Sequence, residues 1–251
     1  FHDQKVSNKG AFEGTVYLHG EPTPIVVDDF FPVIEKQGEE PQLAFAGLND
    51  QTFNVWPMVL EKIWAKVNGS YEDIVNGNCA DAFEFLTPAP IDTYHHNADT
   101  SKLFDIIQEA DSKNYIIVAD ITETANTNLD NLSKMGLITN HAYSVIGTAT
   151  LRDDDSKNQI RLVKIKNIWG TNEWMGDWSD GSRLWTEEYK RKVGLVKKED
   201  GIFWMSFEDF VKFYSCTHIC KINDTYKFIS QKFKVGKEQP FTVMVKQIMI
   251  K

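Results

Sequence analysis

From Phe53 the apolar positions Trp56, Val59, Leu60, Ile63, Trp64 and Val67 recur at helical spacing, with Pro57 suited to a first turn and Asn68-Gly69 to a stop. Upstream, GTVYLHG and PIVVDDFFP read as two short strands joined through Gly20, Pro22 and Pro24, with no covering helix before them. The chain is therefore expected to open on the later part of a larger unit. Residues 80–90 carry Phe83, Phe85 and Leu86 and run into TPAP, which suits a boundary between two lobes near Pro90. A second helix is expected over about Ser101 to Ala110, with Leu103, Phe104, Ile106 and Ile107 inward and Thr100 or Ser101 as its cap. The strand YIIVAD follows.

The second half is richer in strands. AYSVIGTATL and QIRLVKIKN read as two long strands joined by RDDDSKN, whose Asp153, Asp154 and Asp155 suit a solvated hairpin tip. NIWGTNEWMGDWSDGSRLW is a loop rich in Trp and Gly. In EDGIFWMSFEDFVKFY, Ser206 and Asp209 resemble a capping box that opens a short helix, followed by a further strand. KFISQKFKVGKEQPFTVMVKQIMI reads as two strands around VGKEQP, the start of another β module. The expected organisation is a first unit over 1–91, a second over 92–222, and that module over 223–251.

A chain of 251 residues with 42% hydrophobic residues can bury one large core or two smaller ones. A net charge of −9 and scattered Lys and Arg argue against nucleic-acid binding, which needs clustered cations on phosphates. No apolar run approaches the ~20 residues that span a bilayer, and the first residues lack a signal-peptide core. With only Cys79, Cys216 and Cys220, a disulfide framework is not expected, and a reducing, cytoplasmic setting is.

The candidate chemistry lies at the ends of the two long strands. His141 starts one and Asn167 ends the other, and in an antiparallel pair those ends lie side by side, close enough for a hydrogen bond of about 3 Å. An imidazole oriented by an Asn carbonyl is two-thirds of a Cys-His-Asn constellation, in which the imidazole takes the thiol's proton. No convincing nucleophile precedes the pair. Cys79, in GNCADAF, stands in the right order but has Ala80 after it and reads as a small buried thiol.

Taken together, LEKIWAKVNGSYEDI, NHAYSVIG, IKNIWGTNEWMGDWSD and EDGIFWMSFEDF resemble the protease core of the calpain family in order, spacing and residue choice. The likeness covers about Val26 to Ile222, and its style is similar to calpain-like proteins of unicellular eukaryotes. It implies an α+β, papain-like calpain protease core: a partial helical first lobe and a complete β-rich second lobe. It implies His141 as catalytic base, Asn167 as its orienting partner, and Trp169 as the tryptophan that can wedge between lobes. The family's Pro after the asparagine is Ile168 here. Its nucleophile lies in a Gly-x-Cys-Trp segment preceded by an oxyanion-hole Gln, and no such segment occurs in this chain.

The resemblance also implies calcium as an activator and protein or peptide substrates, with no organic cofactor. Glu173, Asp180 and Asp200 match the acids of one calcium loop. The family's further acid is Ile202 here, and a hard cation seeking about 6–8 oxygens loses a ligand. A zinc site could be drawn from His95-His96 and Cys216-Thr217-His218-Ile219-Cys220, but C-x₃-C without a second pair is no zinc signature, and those cysteines read as core. Trp169, Trp174, Trp178, Trp185 and Trp204 read as packing around an irregular loop. Two functions follow: a calpain-like cysteine endopeptidase core whose nucleophile lies outside this chain, or a non-catalytic homologue serving as a structural or protein-interaction module.

Overall fold

The computed structural model describes residues 10–46, 55–123, 129–152 and 159–226. The first elements are a hairpin of β1 (Ala11–Leu18) and β2 (Glu21–Asp28), then the short pair β3 (Val33–Ile34) and β4 (Gln42–Leu43). Helix α1 (Trp56–Asn68) follows, with Pro57 in its first turn and Gly69 closing it by donating its N–H to the Ala65 carbonyl at 2.8 Å. A single 3₁₀ turn (Glu72–Ile74) leads to α2 (Cys79–Leu86), where the Asn78 side chain accepts from the Ala80 N–H at 2.7 Å.

The remaining elements are β5 (Ile91–His95), α3 (Leu103–Ser112), β6 (Ile116–Ile121), α4 (Leu129–Lys134), β7 (His141–Arg152), β8 (Gln159–Asn167), α5 (Glu187–Val193), β9 (Ile202–Ser206), α6 (Phe207–Phe213) and β10 (Cys216–Cys220). Six of the strands form one antiparallel sheet in the order β5-β10-β6-β7-β8-β9. The last of the described strands, β10, thus sits between β5 and β6. The fold is α+β, as expected.

The cap of α3 departs from expectation. Neither Thr100 nor Ser101 caps it with a side chain: Lys102 stands at the cap position, and the Asp99 carboxylate takes the Ser101 N–H at 2.9 Å one turn earlier. A charged acceptor upstream holds the turn, so the helix starts later, at Leu103. The capping box at Ser206 does form. Its hydroxyl accepts from the Asp209 N–H at 3.0 Å and meets the Asp209 carboxylate at 2.8 Å. The expected tip at Asp153–Asp155 and the expected strands after residue 226 lie outside the described residues.

Apolar side chains gather in three clusters. The largest fills one face of the sheet between α3 and α6, with Leu103, Ile107, Ala119, Tyr143, Ile165 and Phe203 all at 2% exposure or less. The second joins the β1–β2 hairpin to α1 and α2 through Val16, Val27, Val59, Ile63 and Phe85. The third packs Leu151 and Leu162 against Trp178, Trp185 and Trp204. Each buried Val, Leu, Ile or Phe side chain among them contributes about 1.5–3 kcal/mol. Helix α2 packs on β1 and also on β5 and β10.

Candidate active site

β7 and β8 pair so that Tyr143 faces Asn167, and His141 lies two residues earlier, at the start of β7, on the same face. One extra residue, Ile146, makes a bulge between Val145 and Gly147 and sharpens the local twist near this end. Asn140 enters β7 with φ 50°; its N–H reaches the Ile121 carbonyl at 2.6 Å, and its amide is held by Glu123. That clamp sets the backbone just ahead of His141. The imidazole Nε2 then lies 2.8 Å from Asn167 Oδ1.

Asn167 is wholly buried and every polar atom of its amide is committed. Nδ2 donates to the carbonyls of Thr171 at 2.5 Å and Asn172 at 3.2 Å, while Oδ1 also accepts from the Trp169 N–H at 3.1 Å. Two carbonyls on one side and a backbone donor on the other leave a single orientation for the amide. The oxygen faces the imidazole, so Nε2 carries the hydrogen. A neutral ring then keeps its lone pair at Nδ1, which makes no hydrogen bond among the described residues.

The ring is also held by stacking. Tyr143 meets it edge-on with centroids 4.8 Å apart, and Trp169 lies 4.2 Å away at a 41° tilt. Trp169 itself is 59% exposed, so its indole covers the imidazole from the solvent side. The other four tryptophans of the loop region are buried, in line with packing. Trp174 and Trp185 spend their indole N–H on the Asp177 and Ser179 carbonyls.

The expected calcium acids serve the backbone instead. Glu173 Oε1 accepts from the N–H groups of Asp200 at 2.9 Å and Gly201 at 2.8 Å. Asp200 accepts from the Ile202 N–H at 3.1 Å, and Asp180 from the Lys198 N–H at 3.2 Å. Burial, and then the charge of Asp200, push the Asp180 carboxyl above its usual range. Glu173, Asp180 and Asp200 do not converge as a metal-ligand group, and Ile202 opens β9 with an alkyl side chain.

The loop is built around two glycines. Gly201 (φ 80°) accepts the Asn167 N–H at 2.8 Å, and a Cβ there would lie 2.6 Å from the Asn167 carbonyl oxygen. Gly136 (φ 78°) admits the Glu173 carbonyl to 1.9 Å from where a Cβ would sit. Asn140, Thr171, Asn172 and Gly201 are the site residues that pattern reading passed over. An Asn immediately before a strand, and the DG step ahead of β9, were the available turn signals.

Cys79 has no contact with His141 among the described residues. Its titratable neighbours are Asp120, His218 and Cys216. Burial first, then the charges of Asp120 and Cys216, push its thiol up to about 11, the reverse of an activated nucleophile. His218 offers it no free base, because Nδ1 lies 2.9 Å from Thr93 Oγ1 and Nε2 lies 2.9 Å from Asp120 Oδ2.

The paper zinc set is taken apart. His96 turns to Thr217 at 2.8 Å, His95 to Cys216 at 2.9 Å, and buried Cys220 to Thr87 at 3.5 Å. Cys216 is half-buried and engaged by an imidazole, so of the two expected core thiols only Cys220 sits in the interior.

Residues 1–221 match the family described as calpain family cysteine protease. The calpain-1 catalytic subunit of Bos taurus is 34% identical over 228 residues, covering 90% of this chain and 30% of that protein. The calpain-2 catalytic subunit of Homo sapiens is 34% identical over 236 residues, covering 91% and 32%. The chain thus spans about a third of the length of these relatives.

Proposed function

From the premise that the chain belongs to the calpain family of cysteine proteases, we propose that it carries the histidine–asparagine half of an endopeptidase site whose thiol nucleophile lies outside these 251 residues. The observation that carries this reading is the 2.8 Å contact from His141 Nε2 to an Asn167 oxygen with only one available orientation. In the proposed reaction Nδ1 of His141 takes the thiol proton. The thiolate attacks the peptide carbonyl carbon, and the tetrahedral intermediate collapses as the imidazolium returns that proton to the departing amine. Water, deprotonated by the same nitrogen, then attacks the thioester and frees the thiol and the carboxyl product. Asn167 holds Nε2–H throughout, so the acceptor lone pair stays at Nδ1.

Trp169 is proposed as the cleft residue that must swing off the imidazole before substrate enters. Residues 1–91 and 92–222 are taken as two protease subdomains and 223–251 as the start of a following module, with the separate clusters around α1 and on the sheet as support. Three free thiols favour a cytoplasmic setting. No helix among the described residues is long and apolar enough to cross a membrane. Calcium, implied by family resemblance, takes part in none of these steps.

The test joins the chain to its natural upstream sequence and assays cleavage of an unfolded protein substrate. Turnover that falls by a factor of about 10³ or more in both His141→Ala and Asn167→Ala is expected. Turnover by the 251-residue chain alone that survives His141→Ala overturns the assignment. No turnover in the joined protein, with a residue other than Cys in the upstream Gly-x-Cys-Trp position, selects the non-catalytic interaction module.

A further inference from the structure

Away from His141, the sheet gathers a second group of reactive side chains. Cross-strand pairing sets His95 beside Cys216 and Cys216 beside Asp120, and alternation along β10 brings His218 to the same face as Cys216. Helix α2 lies against β10 and β5, with Cys79 as its first residue. Cys79, Asp120 and His218 each present one ligand atom, and all three atoms lie within 4.8 Å of one another.

We propose that Cys79, Asp120 and His218 bind a borderline-soft divalent transition metal, Zn²⁺ by its chemistry, as a clasp between α2 and the sheet. One thiolate, one imidazole and one carboxylate are a zinc donor set, whereas calcium and magnesium take oxygens alone. Bonds of about 2.0–2.3 Å to a tetrahedral ion set ligand atoms about 3.3–3.8 Å apart, so His218 Nε2 and Asp120 Oδ2, now 2.9 Å apart, separate by about half an ångström as the ion replaces the hydrogen bond between them. Water fills the fourth position, since Cys216 is engaged by His95.

The surroundings suit this use. Thr93 Oγ1, 2.9 Å from His218 Nδ1, can accept a hydrogen bond there and fix the tautomer that turns the Nε2 lone pair to the ion. On binding, the Cys79 thiol proton leaves to solvent, the ring proton moves from Nε2 to Nδ1, and the Thr93 hydroxyl changes from donor to acceptor. Asp120 keeps 21% of its side chain exposed while His218 keeps 3%, so an ion has a way in and an ordered ligand within. The clasp is independent of the protease reading. It anchors α2 to β6 at the residue before Ile121, the cross-strand partner of His141.

Cobalt(II) titrated anaerobically into the reduced protein tests it, read as the thiolate-to-cobalt charge-transfer band with circular dichroism as the check on folding. One equivalent is expected to bind, to be displaced by one equivalent of Zn²⁺, and to lose the band in Cys79→Ser. Thr93→Val is expected to weaken binding by about 10–100-fold, and Cys220→Ala, outside the cluster, to leave it unchanged. His218→Gln changes a buried residue and can impair folding, so the decisive variant is Cys79→Ser at a position that is only partly buried. A band that persists in folded Cys79→Ser, or no band from the unaltered protein at saturating cobalt, overturns the proposal.

Discussion

Trp169 is exposed on one side and packed on the His141 imidazole on the other, so it screens the ring that must exchange a proton. Trp169→Ala is expected to raise the rate of His141 carbethoxylation several-fold, followed by peptide mass mapping with His19 as the internal reference. His96 ties stability to pH. Burial holds its imidazole down to about 4 from 6.5, and its Nδ1 is buried without a partner. As pH falls the unfolded chain takes up the proton first, so stability present above pH 6.5 is lost between about 6.5 and 4. The loss amounts to roughly 3 kcal/mol, and urea unfolding at pH 7 and pH 4.5 should show it shrinking in His96→Gln. The pairing of His141 with Asn167 was legible because both close one pair of strands. His96 was not, because its neighbours Phe210 and Thr217 come from more than a hundred positions away in the chain.

Among the elements, the β8–β9 connection carries most of the site's precision. It returns from Asn167 through Glu173 to Gly201, and the Glu173 carboxylate holds two backbone N–H groups as a cap would. Gly201→Ala would put a Cβ 2.6 Å from the Asn167 carbonyl oxygen at a φ of 80°. The cost is expected to be about 2 kcal/mol or more, which lowers Tm by about 4–8 °C in a thermal melt. Helix α1 and the capping box of α6 were readable from local spacing and local donors. Helix α5 was not: EEYKRKV offers only Tyr189 and Val193, one turn apart, to the cluster of Trp178, Trp185 and Trp204, while Thr186 caps the helix and Gly194 ends it in the left-handed region. The cap of α3 was misplaced because Asp99, a stronger acceptor than a hydroxyl, sits just upstream.

Across the whole molecule, stability is divided between clusters with different members. Phe85 belongs to the α1 cluster and Phe203 to the sheet cluster, both at 5% exposure or less. Each truncation to Ala is expected to cost about 3–5 kcal/mol. The double variant should equal the sum within about 0.5 kcal/mol in denaturant unfolding. Phe203 and Tyr143 share a cluster, with ring centroids 6.4 Å apart, and their double variant should depart from additivity. The strand content was legible from alternation, but the order β5-β10-β6 was not. Nothing in CTHIC says that it inserts between two strands separated from it by more than ninety residues. Partner choice there rests on contacts distant in the sequence.

The amide of Asn167 has a consequence for descent. Aspartate differs from asparagine by one codon base and would still offer an oxygen to the imidazole. Its second oxygen, however, would stand where Nδ2 now meets the carbonyls of Thr171 and Asn172, lone pair against lone pair in a buried place. That one-base step is thus closed by two main-chain carbonyls. A lineage could take it only after its loop had moved, whether or not the protein ever cut a peptide bond.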